Sequence, residues 1–332
     1  MPTAVVADVG WVNGLAAVRS LGRAGAPVIA VDHRRGALGF RSRYASARLS
    51  PDPVADEEAY VRFLAALGGR FLYPFPGWDV LGPLQRKRVQ LETARALGIP
   101  VPRTADVPTG DFGFPVLVKP SDPTGFRRAF RRQSFRCDGP ADLEEAYERA
   151  RPYDPLVQEF VPGGDDALYT LGSYVSEDGE ALGVFSGRKL RQTSPGVGTC
   201  RVGEAVWVEE VVELGLRLLR GLGFHGVSQV EFKRDPRDGA LKLIEVNPRL
   251  WQWHGLASAS GVDLPRIAYW DLLGVRLPPA RQNGAGRRWA ITLMAGKRPV
   301  LLRPPYVDAV FASDDPKPAL VQAARVLRGL GS

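Results

Sequence analysis

Residues 225–249, HGVSQVEFKRDPRDGALKLIEVNPR, constrain this chain more than any other stretch. Two apolar, β-branched runs flank the turn DPRDG, and that pattern predicts a hairpin of two strands. Alternate strand residues point the same way, so Glu245, Asn247 and Arg249 share one face while Ile244, Val246 and Pro248 share the other. Glu231, in the first strand, can face the same side across the ladder. Two carboxylates and an amide oxygen converging on one point make a hard oxygen site, suited to Mg²⁺ rather than to zinc or copper. An amphipathic edge strand with a solvated side predicts something else: Lys, Thr and Glu in mixed order, without the Asn-Pro break and the aromatic cluster LWQWHG that follow here.

Magnesium usually keeps waters and shares its shell with substrate phosphates, so a nucleotide is the natural partner. No G-x-x-x-x-G-K-[ST] stretch is present to form a P-loop, and another device must hold the phosphates. Lys119, ending the apolar run PVLVKP, and Lys87, in the helix before it, are candidate phosphate clamps. VQEFVPGGDD (157–166) offers Glu159, backbone groups at Phe160 and Val161 that can read a base edge, and a turn. An acid follows the turn for ribose hydroxyls, with Asp165 and Asp166 left open by register.

The chain opens differently. TAVVADVG (3–10) reads as a buried strand, NGLAAVRSLGRAG (13–25) as a helix capped by Asn13 and ended by Gly25, and PVIAVDH (27–33) as a second strand. Strand, helix, strand at this length predicts a parallel sheet. Asp32 sits where a dinucleotide-binding unit keeps its ribose acid, but DVGWVNG is not G-x-G-x-x-G, so this unit reads as structural. Further helices are predicted at 56–69, within 79–104 as one long helix stopping at Gly98, and at 140–150, 206–222, 261–274 and 317–331. From residue 154 onward strands come in antiparallel pairs. The fold class is therefore an α/β N-terminal subdomain with a parallel sheet, followed by α+β subdomains with antiparallel sheets.

Composition excludes several classes. A length of 332 residues suits two or three packed subdomains. The net charge of +8 raises nucleic acid as a partner, but acids are spread throughout and no basic face with readout elements stands out, so none is expected. No apolar stretch approaches the roughly 18 residues that span a membrane, and no signal peptide is apparent. Cys137 and Cys200 allow at most one disulfide and no zinc spacing, in keeping with a reducing, cytoplasmic setting.

Taken together, VLVKP, VQEFVPGGDDALYTLGSYV, FSGRKLRQTSPGVGT, VSQVEF and LIEVNPRLW occur in the order and at about the spacing of the ATP-grasp superfamily. The resemblance spans residues 1 to about 275 and is nearest to single-chain carboligases, the group that includes D-aspartate ligase. It implies a pre-ATP-grasp-like subdomain at 1–78, a linking helix and small ATP-grasp subdomain at 79–160, a large subdomain with the metal site at 161–275, and a C-terminal extension at 276–332. It further implies that ATP activates a carboxylate as an acyl phosphate, which an amine then attacks. By position, Lys87 and Lys119 would hold the α- and β-phosphates, Glu159, Phe160 and Val161 the adenine, and Asp165 or Asp166 the ribose. Glu231, Glu245 and Asn247 would hold two Mg²⁺ ions, with Mn²⁺ as a substitute. Arg249 would stabilise the acyl phosphate and the tetrahedral intermediate, with Arg188, Lys189 and Arg191 beside the γ-phosphate. The substrates implied are a small carboxylate and an amine, amino acids or an anionic conjugate among them, with homodimer formation left open. An inactive nucleotide binder, a kinase and a carboxylase of the same fold are the alternatives.

Three features depart from the superfamily pattern. The phosphate-covering loop after Lys119 is expected to be glycine-rich, yet SDPTGFRRAFRRQSFRC carries five arginines. The N-terminal subdomain is short between 64 and 75. Trp251, Trp253 and His254 follow Asn-Pro-Arg where small residues are usual, and are expected to narrow the acceptor side.

Overall fold

The structure, a computed structural model, describes every residue except 70, 109–111, 122, 195–197, 284–285, 295 and 329–332. Asp122 of the arginine-rich stretch and residues 195–197 of FSGRKLRQTSPGVGT therefore lie outside the described residues.

Three sheets organise the chain. The first joins β1 (Ala4–Ala7), β2 (Val28–Asp32) and β3 (Ser46–Leu49) in parallel, with α1 (Val12–Arg23) crossing between the first two strands. Val12, Leu15, Val18 and Leu21 recur at helical spacing and are all buried, which gives α1 one apolar face against the sheet. Gly25 follows with φ +84°, the left-handed exit that the sequence predicts. The predicted cap at Asn13 is not what forms: Trp11 occupies the N-cap with no side-chain capping bond, and Asn13 lies inside the helix.

After α2 (Glu57–Ala65) the sequence predicts one long helix, but two form: α3 (Trp78–Leu84) and α4 (Lys87–Ala96). Pro83 lies in the last turn of α3, where it cannot donate a backbone hydrogen bond. The backbone extends at Arg86 (φ −85°, ψ 117°), so α4 restarts with Lys87 as its first residue. The helix ends ahead of Gly98, at φ +66°.

The second sheet orders β4 (Thr104–Ala105), β7 (Pro155–Glu159), β5 (Val116–Pro120) and β6 (Phe135–Cys137), all antiparallel. Helices α5 (Pro123–Phe130) and α6 (Pro140–Ala150) belong to this lobe. The arginine-rich stretch was expected to form a covering loop and instead supplies α5. Phe126 and Phe130, one turn apart, pack edge-on against Phe135 and Tyr153 and hold the helix to the lobe's core.

The third sheet has eight strands: β8 (Leu168–Val175), β9 (Ala181–Gln192), β10 (Cys200–Ala205), β11 (Gly226–Arg234), β12 (Leu241–Asn247), β13 (Ala280–Arg281), β14 (Arg288–Ala290) and β15 (Tyr306–Asp308). Their order is β12-β11-β8-β9-β10-β14-β15, with β13 beside β9. The predicted hairpin is β11–β12, antiparallel with Glu231 opposite Glu245. Two pairs are parallel, β13 with β9 and β14 with β15, so residues 276–332 complete this sheet rather than trailing from it. Helix α7 (Glu209–Gly221) packs against β8 and β9 through Val211, Val212, Leu218 and Leu219. Helices α8 (Gly255–Ala259) and α9 (Leu264–Leu272) contribute to a separate core with Trp251 and Trp253. Helix α10 (Lys317–Leu327) returns to the N-terminal unit, where buried Arg19 meets Asp315 at 2.9 Å. No described helix is long and apolar enough to cross a membrane.

Candidate active site

A cavity of about 290 Å³ opens between the four-stranded and eight-stranded sheets. On its β11–β12 wall, Glu231 and Glu245 are cross-strand partners. Lys189 Nζ lies 2.8 Å from Glu231 Oε1, and Gln229 Nε2 donates to the same oxygen at 3.1 Å. Asn247 Nδ2 donates to Glu245 Oε1 at 2.8 Å, while its Oδ1 accepts from Arg249 Nη2 at 3.2 Å. Burial pushes the Glu231 carboxyl up, partly opposed by the Lys189 charge. Burial acts the same way on Glu245, but the Lys87 charge and hydrogen bonds from Asn247 and Glu231 outweigh it and hold that carboxyl down. The pair thus favours sharing one proton, as close like charges in a low dielectric do.

That arrangement fits a divalent cation. Two carboxylates and one amide provide hard oxygen donors, and a dication placed between them would offset the burial and the Glu245 charge that raise Glu231. Among the described residues no group of three or more His, Cys, Asp or Glu side chains is arranged to hold a metal ion by itself. The remaining ligands would therefore come from water and phosphate, the usual situation for magnesium.

Opposite the carboxylates stand three clustered cations, Lys87, Lys119 and Lys233. Lys119, on β5, donates to the neutral Gln158 Oε1 at 2.7 Å. Burial pushes its ammonium well down, and the nearby charges of Lys87 and Lys233 act in the same direction. Lys87 reaches the cavity from the first turn of α4, and Lys233 from β11. Ammonium groups crowded together in a buried site are costly, and a polyanion would relieve that cost. Arg127 of α5 also lines this end, whereas Arg128, Arg131 and Arg132 are exposed.

The strip that joins the lobes passes Glu159, Phe160 and Val161. The Glu159 carboxylate accepts from Arg103 N at 3.0 Å, Lys242 Nζ at 2.9 Å and Arg237 Nη2 at 3.1 Å. Lys242 also meets fully buried Asp235 at 2.8 Å, so this network ties β7 of the small sheet to the β11–β12 hairpin. The Glu159 side chain is thus committed to the lobe junction. Phe160 N donates to Pro115 O, and Val161 O accepts from Lys233 Nζ at 2.9 Å. The Phe160 carbonyl and Val161 N–H have no backbone partner among the described residues, one acceptor and one donor side by side. Lys233 and Arg136 lie over the Phe160 ring.

Not every predicted site residue reaches this cavity. Asp165 accepts from both the backbone and side-chain nitrogens of Gln192 at 2.8 Å, fixing the end of β9, and Asp166 is exposed; neither lines the wall. Arg188 and Lys189 are consecutive strand residues and must point to opposite faces. Lys189 faces Glu231, whereas Arg188 binds Glu204 at 2.8 Å on the far side, and Arg191 is exposed beyond the wall. Residues that the sequence reasoning missed are Gln158, Gln229, Gln192 and Lys233. Gln229 and Lys233 were findable, because they flank Glu231 at two-residue spacing on the same strand face.

The description "Carbamoyl-phosphate synthase L chain, ATP binding domain" fits residues 207–278, the segment that contains β11, β12 and Arg249. Solved structures match far more of the chain: biotin carboxylase from Campylobacter jejuni superposes with a TM-score of 0.66, covering 89% of this chain and 77% of that one at 15% identity. The chain has the ATP-grasp fold. An L-amino acid ligase from Bacillus licheniformis shares this ATP-grasp fold at a TM-score of 0.60, covering 82% of this chain and 73% of the ligase at 17% identity. In sequence, D-aspartate ligase of Enterococcus faecium is 25% identical over 222 residues, 60% of this chain and 52% of the ligase. D-alanine–D-alanine ligase of Xanthomonas axonopodis is 27% identical over 219 residues, 53% of this chain and 60% of that enzyme. The chain thus spans between half and two thirds of the length of these two curated ligases.

Beyond Arg249 the ATP-grasp cavity ends on Trp251, Gln252 and Trp253. His254 turns away from it: its Nε2 lies 3.0 Å from Asn13 O in α1, so the ring ties this loop to the N-terminal unit. Burial pushes its pKa down, and the neutral ring is the form held there.

Proposed function

We propose that the chain is an ATP-dependent carboxylate–amine ligase that forms an amide or peptide bond and releases ADP and phosphate. The observation that carries this reading is the order of groups along one cavity: free backbone donor and acceptor at 160–161, the clustered ammonium groups of Lys87 and Lys119, the Glu231–Glu245 pair, then Arg249. Base, phosphates, metal and reacting carboxylate would be met in that sequence. The ligase names of the relatives from Enterococcus faecium, Xanthomonas axonopodis and Bacillus licheniformis support the same class.

In this reading Phe160 and Val161 take the adenine edge, Glu159 holds the junction behind it, and Asp165 or Asp166, off the wall as the cavity stands, would be the ribose acid by its place in the motif. Lys87 and Lys119 clamp the α- and β-phosphates, in keeping with their clustering. Glu231, Glu245 and Asn247 would hold two Mg²⁺ ions, or Mn²⁺, which would supply positive charge to the transferring phosphoryl group. Lys189 orients Glu231 and favours its ionised form against the pull of burial. A substrate carboxylate oxygen attacks the γ-phosphorus, ADP leaves, and an acyl phosphate results. The amine nitrogen then attacks the acyl carbon while Arg249 bears the charge that gathers on the oxygen, and phosphate departs. The substrates are small, amino acids or an anionic conjugate, and the protein works in the cytoplasm, as a homodimer if it self-associates. We divide it at 1–78, 79–160, 161–275 and 276–332.

A phosphate-release assay over a matrix of amino-acid carboxylates and amines, with bicarbonate as a separate arm, tests the proposal. Release that needs both a carboxylate and an amine, with a mass-detected amide, is expected. Release driven by bicarbonate alone would replace the ligase with a carboxylase, and release indifferent to every addition would remove both.

A further inference from the structure

Three glycines on adjacent strands, Gly172 of β8, Gly187 of β9 and Gly203 of β10, lie under the two indoles that close the cavity. A Cβ at Gly172 would overlap the six-membered ring of Trp251. One at Gly187 would stand 2.9 Å from Trp253 Cζ3, and one at Gly203 2.7 Å from Trp253 Cε3. Both indoles are about 1% exposed, and they pack on Phe185 and on each other with ring centroids 6.0–6.2 Å apart. The sheet has given up three side chains here, and the rings that fill the space are locked from behind. Beside them, Trp251 Nε1 and Gln252 Oε1 are buried without a hydrogen-bond partner, a donor and an acceptor on consecutive residues of the cavity wall. Buried polar atoms of this kind are normally satisfied, so a ligand bearing both kinds of group is the natural complement.

We infer that Trp251 and Trp253, seated in the notches at Gly172, Gly187 and Gly203, form a rigid specificity wall that restricts the amine substrate to compact amino acids. The inference rests on the ligase reading for the word "substrate", and the wall itself rests on packing. A side chain larger than a few carbons meets an indole that has no room to retreat, because overpacking a filled core is itself unfavourable. Loss of one ring opens space for a bulkier amine, and a methyl group added beneath a ring pushes the ring off the sheet.

The test compares glycine, alanine, valine and phenylalanine as amines in phosphate release, using the wild type, Trp253→Leu and Gly203→Ala. Trp253→Leu keeps an apolar filling and limits the folding defect that alanine would bring. The ratio of kcat/KM for phenylalanine to that for alanine should rise at least about tenfold in Trp253→Leu, and the valine-to-glycine ratio should fall in Gly203→Ala. A second arm needs no turnover: with ADP present, phenylalanine should raise the melting temperature of Trp253→Leu and leave the wild type unmoved. If the melting arm responds but no amine drives phosphate release, the ligase reading fails and the wall stands. If folded variants show neither a changed ratio nor a changed melting response, the wall is refuted.

Discussion

Replacing Lys189 with methionine should steepen the pH dependence of stability that the raised Glu231 carboxyl already gives the parent. Lys189 Nζ is 2.8 Å from Glu231 Oε1, and both side chains are buried. Methionine keeps the length and apolar stem but removes the charge, leaving Glu231 beside Glu245. Burial already pushes the Glu231 carboxyl up, and Lys189 is the main group opposing it. An unpaired buried charge would cost roughly 3–5 kcal/mol, so taking up a proton is the cheaper response. A carboxyl protonated in the folded protein and ionised in the unfolded chain binds one more proton on folding. Stability then falls as pH rises, by about 1.4 kcal/mol per pH unit until the cost of the unpaired charge is reached. Between pH 6 and pH 8 that is about 2.7 kcal/mol. At roughly 2 °C per kcal/mol for a long chain, the variant should lose on the order of 5 °C more than the wild type. Thermal melts at pH 6, 7 and 8 in EDTA measure it. Adding Mg²⁺ should shrink the extra slope, because a dication at the carboxylates supplies the missing positive charge. A variant whose melting temperature runs parallel to the wild type across all three pH values would show that Glu231 takes up no proton and that Lys189 is not its counter-ion.

Three further outcomes follow from the same geometry. Glu245→Gln should abolish ATP turnover in a folded protein and weaken Mg²⁺ binding, measured by calorimetry; near-normal phosphate release would remove the metal assignment. Arg249→Ala should cost about 2–4 kcal/mol in kcat/KM for the carboxylate while nucleotide affinity stays put, and a large loss of ATP affinity at unchanged saturated turnover would move Arg249 into the nucleotide site. Asp235 and Asp314 are both held well below the usual carboxylate range, Asp235 by Arg237 and Lys242 and Asp314 by Arg23 and Tyr44. Depressed carboxyls stabilise the fold above their unfolded values and lose that contribution as pH falls, so acid unfolding should begin below about pH 4. Asp235→Asn should flatten the acid limb, and a limb identical to wild type would show the network contributes nothing.

The parts legible in the sequence are those set by short-range periodicity. The β11–β12 hairpin was readable because strand period and turn composition agree, and that register brings Glu231 opposite Glu245 from positions 14 residues apart. The parallel opening unit was readable for the same reason. Lys87 looked like one basic residue on a long helical face, and only the break after Pro83 makes it the first residue of a helix aimed at the cavity. In the small lobe, Phe126 and Phe130, four residues apart among five arginines, put one apolar side on α5.

What escaped sequence reasoning depends on contacts that no local pattern encodes. GRKLRQ offers three cations, and strand geometry alone says that neighbours diverge. It does not say which face meets the cavity, a choice made by Glu204 on one side and Glu231 on the other. Glu159 looked like part of the adenine seat because of its place in the motif. Its carboxylate is claimed instead by Arg237 and Lys242, some 80 residues away, whose own positions depend on buried Asp235. The indole wall carries the point furthest. Trp251 and Trp253 are conspicuous in the sequence, yet Gly172, Gly187 and Gly203 look like ordinary strand glycines until the sheet is assembled. A glycine in a strand weakens it and needs a compensating reason, and here the reason is a ring delivered by a loop that lies up to 79 residues further along the chain. Ring and notch are complementary only as a set, so a substitution at any one of the five positions should be felt at the same end of the cavity.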